Sequence, residues 1–350
     1  MSWIGATART GGWFDAPGRD RLMPRGTLML ETRIPLETRP RVLLGYERTE
    51  PWHGAITLQV LPDGGIVLLL AQGADTHSAV VPCPDTDRSE TIRVSFCWDA
   101  PRRRARLTVE RADPGHPRSV NLTGIQPMVT ADMHDIMARP ERRRMDSDVT
   151  FAAVSDRMEP VGPLPGLTAQ TPVMTAWGER PVCRLRRGDL IITDQGQQVP
   201  VLQVIRHTLP ARGGFHPVRL RAGYFGLTRD IVVAPFQRLV MRGSDVEYMF
   251  GREAVLVPAR NLLDNIAAVP AKGPEMVTYF QLLLPGHETV MTSGCPVESL
   301  FVGRLRRKPD ELAASVLARF DRSRLPEHPH PAWPVLKPFE AVALAADRAA

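Results

Sequence analysis

Lysine is almost missing from this chain: of 44 basic residues only Lys272, Lys308 and Lys337 are lysines. Arginine stands nearly everywhere else, beside abundant Ala, Pro and Gly, a pattern that reads as GC-rich coding. The net charge of +6 therefore does not by itself call for a nucleic acid. The basic clusters Arg102–Arg104, Arg142–Arg144 and Arg304, Arg306, Arg307 have no aromatics interleaved, as a single-strand groove requires. No nucleic-acid partner is expected. Cysteine is scarce too. Cys83, Cys97, Cys183 and Cys295 form no Cys-x-x-Cys pair, which argues against a zinc site. Free thiols in a reducing compartment are expected, and no metal or cofactor. A run of about 20 apolar residues, enough to span a membrane, is absent. The first twenty residues lack the apolar core of a secretory leader. The expectation is a soluble chain, cytoplasmic or exported without an N-terminal signal peptide. Gly-x-Ser-x-Gly, His-Glu-x-x-His and P-loop motifs are also lacking, which removes the commonest hydrolase and nucleotide readings.

What is present is β patterning. The 350 residues, 43% hydrophobic and 23% charged, suit two domains with a core each. In Thr27–Ile34, Leu28, Leu30 and Ile34 share a face, with Met29 breaking the alternation. Ala55–Leu61 and Ile66–Ala71 flank Pro62-Asp63-Gly64-Gly65, a hairpin turn signature. Thr91–Trp98 alternates cleanly: Ile92, Val94, Phe96 and Trp98 on one face, Arg93, Ser95 and Cys97 on the other. Ala105, Leu107 and Val109 alternate again after a turn at 99–102. Met128–Met145 follows neither period and leaves room for a helical turn. Residues 22–154 therefore read as an antiparallel sandwich after an N-terminal tail, 1–21. Their general look resembles the laminin-G or concanavalin-like sandwich, with no specific motif. Trp52 and His53 sit in a loop, where an exposed aromatic would suit a sugar.

Ser155–Gly166, with three prolines and two glycines, reads as a linker over 155–165. Beyond it, apolar strands are expected at Leu190–Thr193 and Val199–Ile205, with Leu190, Ile192 and Leu202 in the core, and again at Tyr279–Leu284. Arg187-Gly188-Asp189 reads as a turn in which glycine allows a positive φ. Pro309 starts a helix with Asp310 and Glu311 in its first turn and an apolar stripe of Leu312, Val316, Leu317 and Phe320. Residues 304–350 thus read as a helical extension.

The run from Gly166 to Gly196 carries a family resemblance. Thr171, Val173 and Thr175 form a Thr-x-Val-x-Thr strand. Gly178, Pro181-Val182 and the step Leu185, Gly188-Asp189, Ile191 follow. Arg229–Met241, Glu253–Leu263 and Thr278–Gly303 supply three further blocks in order. Together they resemble a bacterial Hint (hedgehog/intein) domain over 166–303. The resemblance implies a compact all-β fold. The fold class expected for the chain is all-β: an antiparallel sandwich, then an all-β Hint domain, then a short helical tail.

The resemblance also implies chemistry. In a Hint domain a Cys or Ser at the first position attacks the preceding carbonyl, turning an amide into a thioester or ester. A histidine in the second block, usually written Ser-Pro-x-His, carries a proton. Here the first position is Gly166, which has no nucleophile. The second block is Ala234-Pro235-Phe236-Gln237, and Gln237 exchanges no proton near neutral pH. No catalytic residue is expected. The family positions to follow are Gly166, Thr168, Gln237, His287 and Cys295. Asp230 is a further orienting candidate; His207 and His216 fall outside the motifs. Three functions remain open: a Hint-containing protein that has lost self-cleavage and works as a binding or scaffold protein, an autoprocessing protein cleaving near residue 166 through Thr168 or Cys295, and a carbohydrate-binding protein acting through the sandwich. The partner expected is a protein or a glycan.

Overall fold

Ile92, Val94, Phe96 and Trp98, alternating along Thr91–Asp99, point into the core of one of two compact units. The structure, a computed structural model, describes residues 2–9, 11–16, 18, 21–34, 39–83, 91–111 and 117–349. The chain divides into units at Met1–Gly162 and Pro163–Ala350.

In the first unit seven antiparallel strands form a sheet in the order Arg118–Thr123, Arg104–Arg111, Thr91–Asp99, Arg25–Arg33, Val149–Ser155, Trp3–Ala8, Gly11–Phe14. A second sheet runs Arg143–Met145, Arg41–Arg48, Gly54–Val60, Ile66–Gln72, Asp75–Val81. Leu43, Leu58 and Leu68 of the second sheet share one core with Leu28, Leu30 and Phe96 of the first. This is the sandwich that the alternation implies. The expected hairpin turn forms, with Gly64 at φ +83° donating its N–H to Leu61 O at 2.9 Å. Within Met128–Met145, Thr130–Ala138 is a helix.

Two expectations are corrected here. Residues read as an N-terminal tail hold the strands Trp3–Ala8 and Gly11–Phe14, the first pairing with Val149–Ser155. Their short, glycine-rich stretches carry no visible period, so the neighbouring strand decides. The residues read as an open linker are irregular but held. Of 155–165 only Asp156, Arg157 and Met158 are exposed. Thr27 Oγ1 donates to Arg157 O at 2.8 Å, Ser155 Oγ to Glu159 Oε1 at 2.6 Å, and Gly162 N–H to Glu110 Oε1 at 2.7 Å. Arg93, Ser95 and Cys97, on the other face of the strand Thr91–Asp99, are buried too.

The second unit is also β-rich. A six-stranded sheet runs Gln203–Pro210, Met276–Leu283, Leu167–Thr168, Ile231–Val233, Val218–Leu220, Ala268–Pro270. A four-stranded sheet holds Pro172–Thr175 and Leu190–Ile192; another holds Arg238–Arg242, Cys295–Glu298 and Thr289–Thr292. Gly188 takes φ +90° in the turn expected of it. The expected core residues are out of phase. Leu190 is 38% exposed, and Ile192 and Leu202 are half-buried, whereas Ile191 and Val201 are the buried residues. Three consecutive apolar residues fit either phase of a two-residue period. The helix at Pro309 ends at Ala314, short of the expected stripe. Ser315 Oγ donates to Leu312 O and accepts from Leu317 N–H at 3.1 Å, so its hydroxyl serves the turn that ends the helix. Leu312, Leu317 and Phe320 still pack together, through that turn rather than along a helix. Pro338–Ala349 is the last helix. Among the described residues no helix is long and apolar enough to cross a membrane.

Candidate functional site

Gly166 precedes the two-residue strand Leu167–Thr168, held between Met276–Leu283 and Ile231–Val233. Leu167 stands opposite both Phe280 and Val233, so the residue before it is fixed from two sides. Gly166 O accepts the Ala234 N–H at 2.7 Å. The chain then reverses through Ala234-Pro235-Phe236-Gln237, with the Gln237 N–H donating to Ala234 O at 3.0 Å. Proline at the second position of such a turn has its φ preset. The turn carries Gln237 back onto Gly166.

The fit is close. A Cβ on residue 166 would overlap Gln237 Oε1 and stand 3.0 Å from its Cβ and 3.1 Å from its Cδ. Gln237 is 2% exposed and its amide is tied at both ends. Oε1 accepts from Gln281 Nε2 at 2.8 Å; Nε2 donates to Glu298 O at 3.1 Å and to Arg238 O at 3.2 Å. Gln281 also donates to Glu298 O at 3.1 Å, and its Oε1 accepts the Leu282 N–H. A buried amide with both ends satisfied is costly to displace.

Glu298 extends the network. Arg238 Nη1 donates to Glu298 Oε2 at 3.0 Å, a pair with both side chains buried. His287 Nε2 lies 3.5 Å from the same oxygen. His287 Nδ1 accepts the Ala332 N–H at 2.9 Å, so the ring's proton sits on Nε2, facing the carboxylate. The ring meets Phe301 edge-on, with centroids 5.0 Å apart, and His328 at 5.8 Å. Burial, with His287 second, holds His328 down at about 4, so it is neutral at pH 7. Thus Gly166, Gln237 and His287 lie along one line of contacts, joined through Glu298.

Thr168 and Cys295 make other contacts. Thr168 Oγ1 donates to Val232 O at 2.7 Å and lies 3.1 Å from Thr171 Oγ1, so its proton is committed to backbone. Cys295 follows the hairpin turn Ser293-Gly294, both at positive φ. Its side chain is fully buried in the apolar core, and burial pushes the thiol up to about 12. It has no thiolate near neutral pH. Asp230 Oδ1 accepts the Ala222 N–H at 2.9 Å, and His216 Nδ1 lies 3.0 Å from Ala211 O. His207 stands opposite Tyr279 in a strand pair. All four cysteines are free. Among the described residues no group of three or more His, Cys, Asp or Glu is arranged to hold a metal.

Arg238, Gln281 and Glu298 were not singled out by sequence. Gln281 does carry a signal: one polar residue inside Tyr279–Leu284, an otherwise apolar run, implies a buried amide with partners. Chemically, the cluster offers hydrogen bonds, one buried ion pair and one imidazole proton. It offers no nucleophile beside the Pro165–Gly166 bond.

The Hint domain family matches residues 165–304. No curated protein matches the chain. Solved structures similar to it include the CBM40 of the Ruminococcus gnavus IT-sialidase, at 12% identity and TM-score 0.28, over 39% of this chain and 77% of that one. The gp41-1 intein is similar at 11% identity and TM-score 0.26, over 38% of this chain and 98% of its own. A splice-inactive variant of the AceL NrdHF class 3 split intein is similar at 12% identity and TM-score 0.27, over 39% and 99%. With the blocks in order, the strands in place and the family's match over this range, residues 165–304 of this chain are a Hint domain.

Proposed function

We propose that this Hint domain does not cleave its own chain, and that the protein works as a binding or scaffold protein in which the Hint fold persists as structure. One observation carries the reading: residue 166 has no side chain, and the space beside it is filled by Gln237. An acyl shift at the Pro165–Gly166 bond needs a nucleophile on residue 166. It also needs a group that changes protonation state near neutral pH. Gln237 meets neither need and is locked by three hydrogen bonds. The rival nucleophiles fit poorly: the Thr168 proton is held by backbone and the Cys295 thiol is raised by burial.

Intact mass is the test. Full-length protein incubated with dithiothreitol or hydroxylamine, which cleave thioesters and esters, is expected to stay a single species near 38.8 kDa. Fragments ending at Pro165 and beginning at Gly166 would overturn the reading. Fragments at Thr168 or Cys295 would move the chemistry there.

A further inference from the structure

The first unit carries a cleft of about 430 Å³ at one end of its five-stranded sheet, within the range of small-molecule sites. Ile56, Leu70, Met128 and Met133, all buried, line its interior. One wall is Trp52, half exposed. A second stretch of the lining, residues 126–129, is clamped by Gln72. Gln72 Nε2 donates to Gln126 O, and Gln126 N–H donates to Gln72 Oε1, both at 3.0 Å. Gln126 Nε2 in turn donates to Asp75 Oδ2 at 2.9 Å. On the other side, Gly73 N–H donates to His53 O at 2.8 Å, tying the two loops that form the mouth. The cleft is therefore braced from both sides before any ligand arrives.

Its charges select against ions. Arg48 is the cation among the described lining residues, and its donors are spoken for. Nε and Nη2 grip the Asp132 carboxylate at 2.7 and 3.3 Å, and Nη1 donates to Glu50 O and Trp52 O. Asp132 also accepts from Tyr46 Oη at 3.0 Å. With Arg48 and Asp132 paired, Asp75 leaves the lining net negative, which opposes a carboxylate or phosphate. A cationic ligand meets a different obstacle. The Arg48 guanidinium already stands 5.0 Å over the Trp52 ring, so a second cation on the free face would face like charge across the indole. What fits is an uncharged ligand with one apolar face for the indole and hydroxyls for the Gln72, Gln126 and Asp75 rim.

We propose that this cleft is a binding site for a neutral saccharide, one sugar ring stacked on the free face of Trp52. The proposal rests on reading the first unit as a binding module, and it is independent of whether the second unit cleaves. The test uses the full-length chain on an array of neutral oligosaccharides, with sialyllactose and choline as acidic and cationic probes. Neutral glycans are expected to bind. Trp52→Ala is expected to weaken that binding at least tenfold and Trp52→Phe to retain most of it. Trp177→Ala, which removes an exposed tryptophan of the second unit, is expected to leave it unchanged. Absence of neutral-glycan binding would overturn the site, as would binding that survives Trp52→Ala or binding confined to sialyllactose or choline. Failure of this kind leaves the mass of the chain as it was, so it is distinct from failure of the cleavage reading.

Discussion

At residue 166 a missing side chain and a present one are complementary. Glycine there is not required by a positive φ, as it is at Gly188 or Gly294. It is required by the neighbour: Gln237 occupies what a Cβ would need. Gly166 and Gln237, which the sequence presents as two separate positions, are therefore one packed arrangement. Gly166→Ala should cost about 1–3 kcal/mol by overpacking. Gln237→Ala should also cost stability, because Gln281 and Glu298 O lose a partner. Their combination should cost less than the sum, since alanine at 237 removes the overlap with Oε1 and Cδ. Denaturant unfolding of the four chains measures the coupling. Simple additivity would mean that the two side chains do not compete for one space. The identities of Gly166 and Gln237 were legible from motif positions alone. Their contact was not, because it depends on a turn folding back across 71 residues of chain.

At the scale of elements, legibility followed length. The long strand Thr91–Asp99 and the hairpin at 62–65 stand where their periods place them. The three-residue strand Leu190–Ile192 does not reveal its phase, and the buried residue turned out to be Ile191. Cross-strand partners settle it: Ile191 pairs with Thr175 and Val199. Ile191→Ala should accordingly cost about 2–5 kcal/mol, and Leu190→Ala about 0.5 kcal/mol or less, as at surface sites. Thermal or denaturant unfolding of the two variants decides between the phases; the reverse order would mean that the strand is inverted. The same reasoning explains the short helix at Pro309. The apolar stripe was visible, but the Ser315 hydroxyl that helps end the helix competes with the period. Arg238, Glu298 and Gln281 were hidden for another reason. Charged and amide residues inside strands read as surface until their partners, which lie far along the chain, are known.

At the scale of the molecule, two β-rich units divide between Gly162 and Pro163. One is a sandwich with a braced cleft; the other contains the Hint domain at 165–304. The Hint unit was legible from four short blocks because its turns and strand starts depend on particular residues, as Gly188 illustrates. The cleft was hidden because its walls come from four separate stretches of chain. The central proposal is that self-cleavage is lost through Gly166 and Gln237. The measurement that tests it most directly is the rate of cleavage at 165–166, followed by intact mass, in the natural chain, Gly166→Cys, Gln237→His and the double variant. The natural chain and Gln237→His should stay whole. Gly166→Cys should cleave slowly at best, since Gln237 crowds the new thiol and carries no proton. The double variant should cleave measurably faster than either single one. Cleavage of the natural chain or of Gln237→His at that bond would contradict the account, and so would a Gly166→Cys chain that cleaves as fast as the double variant.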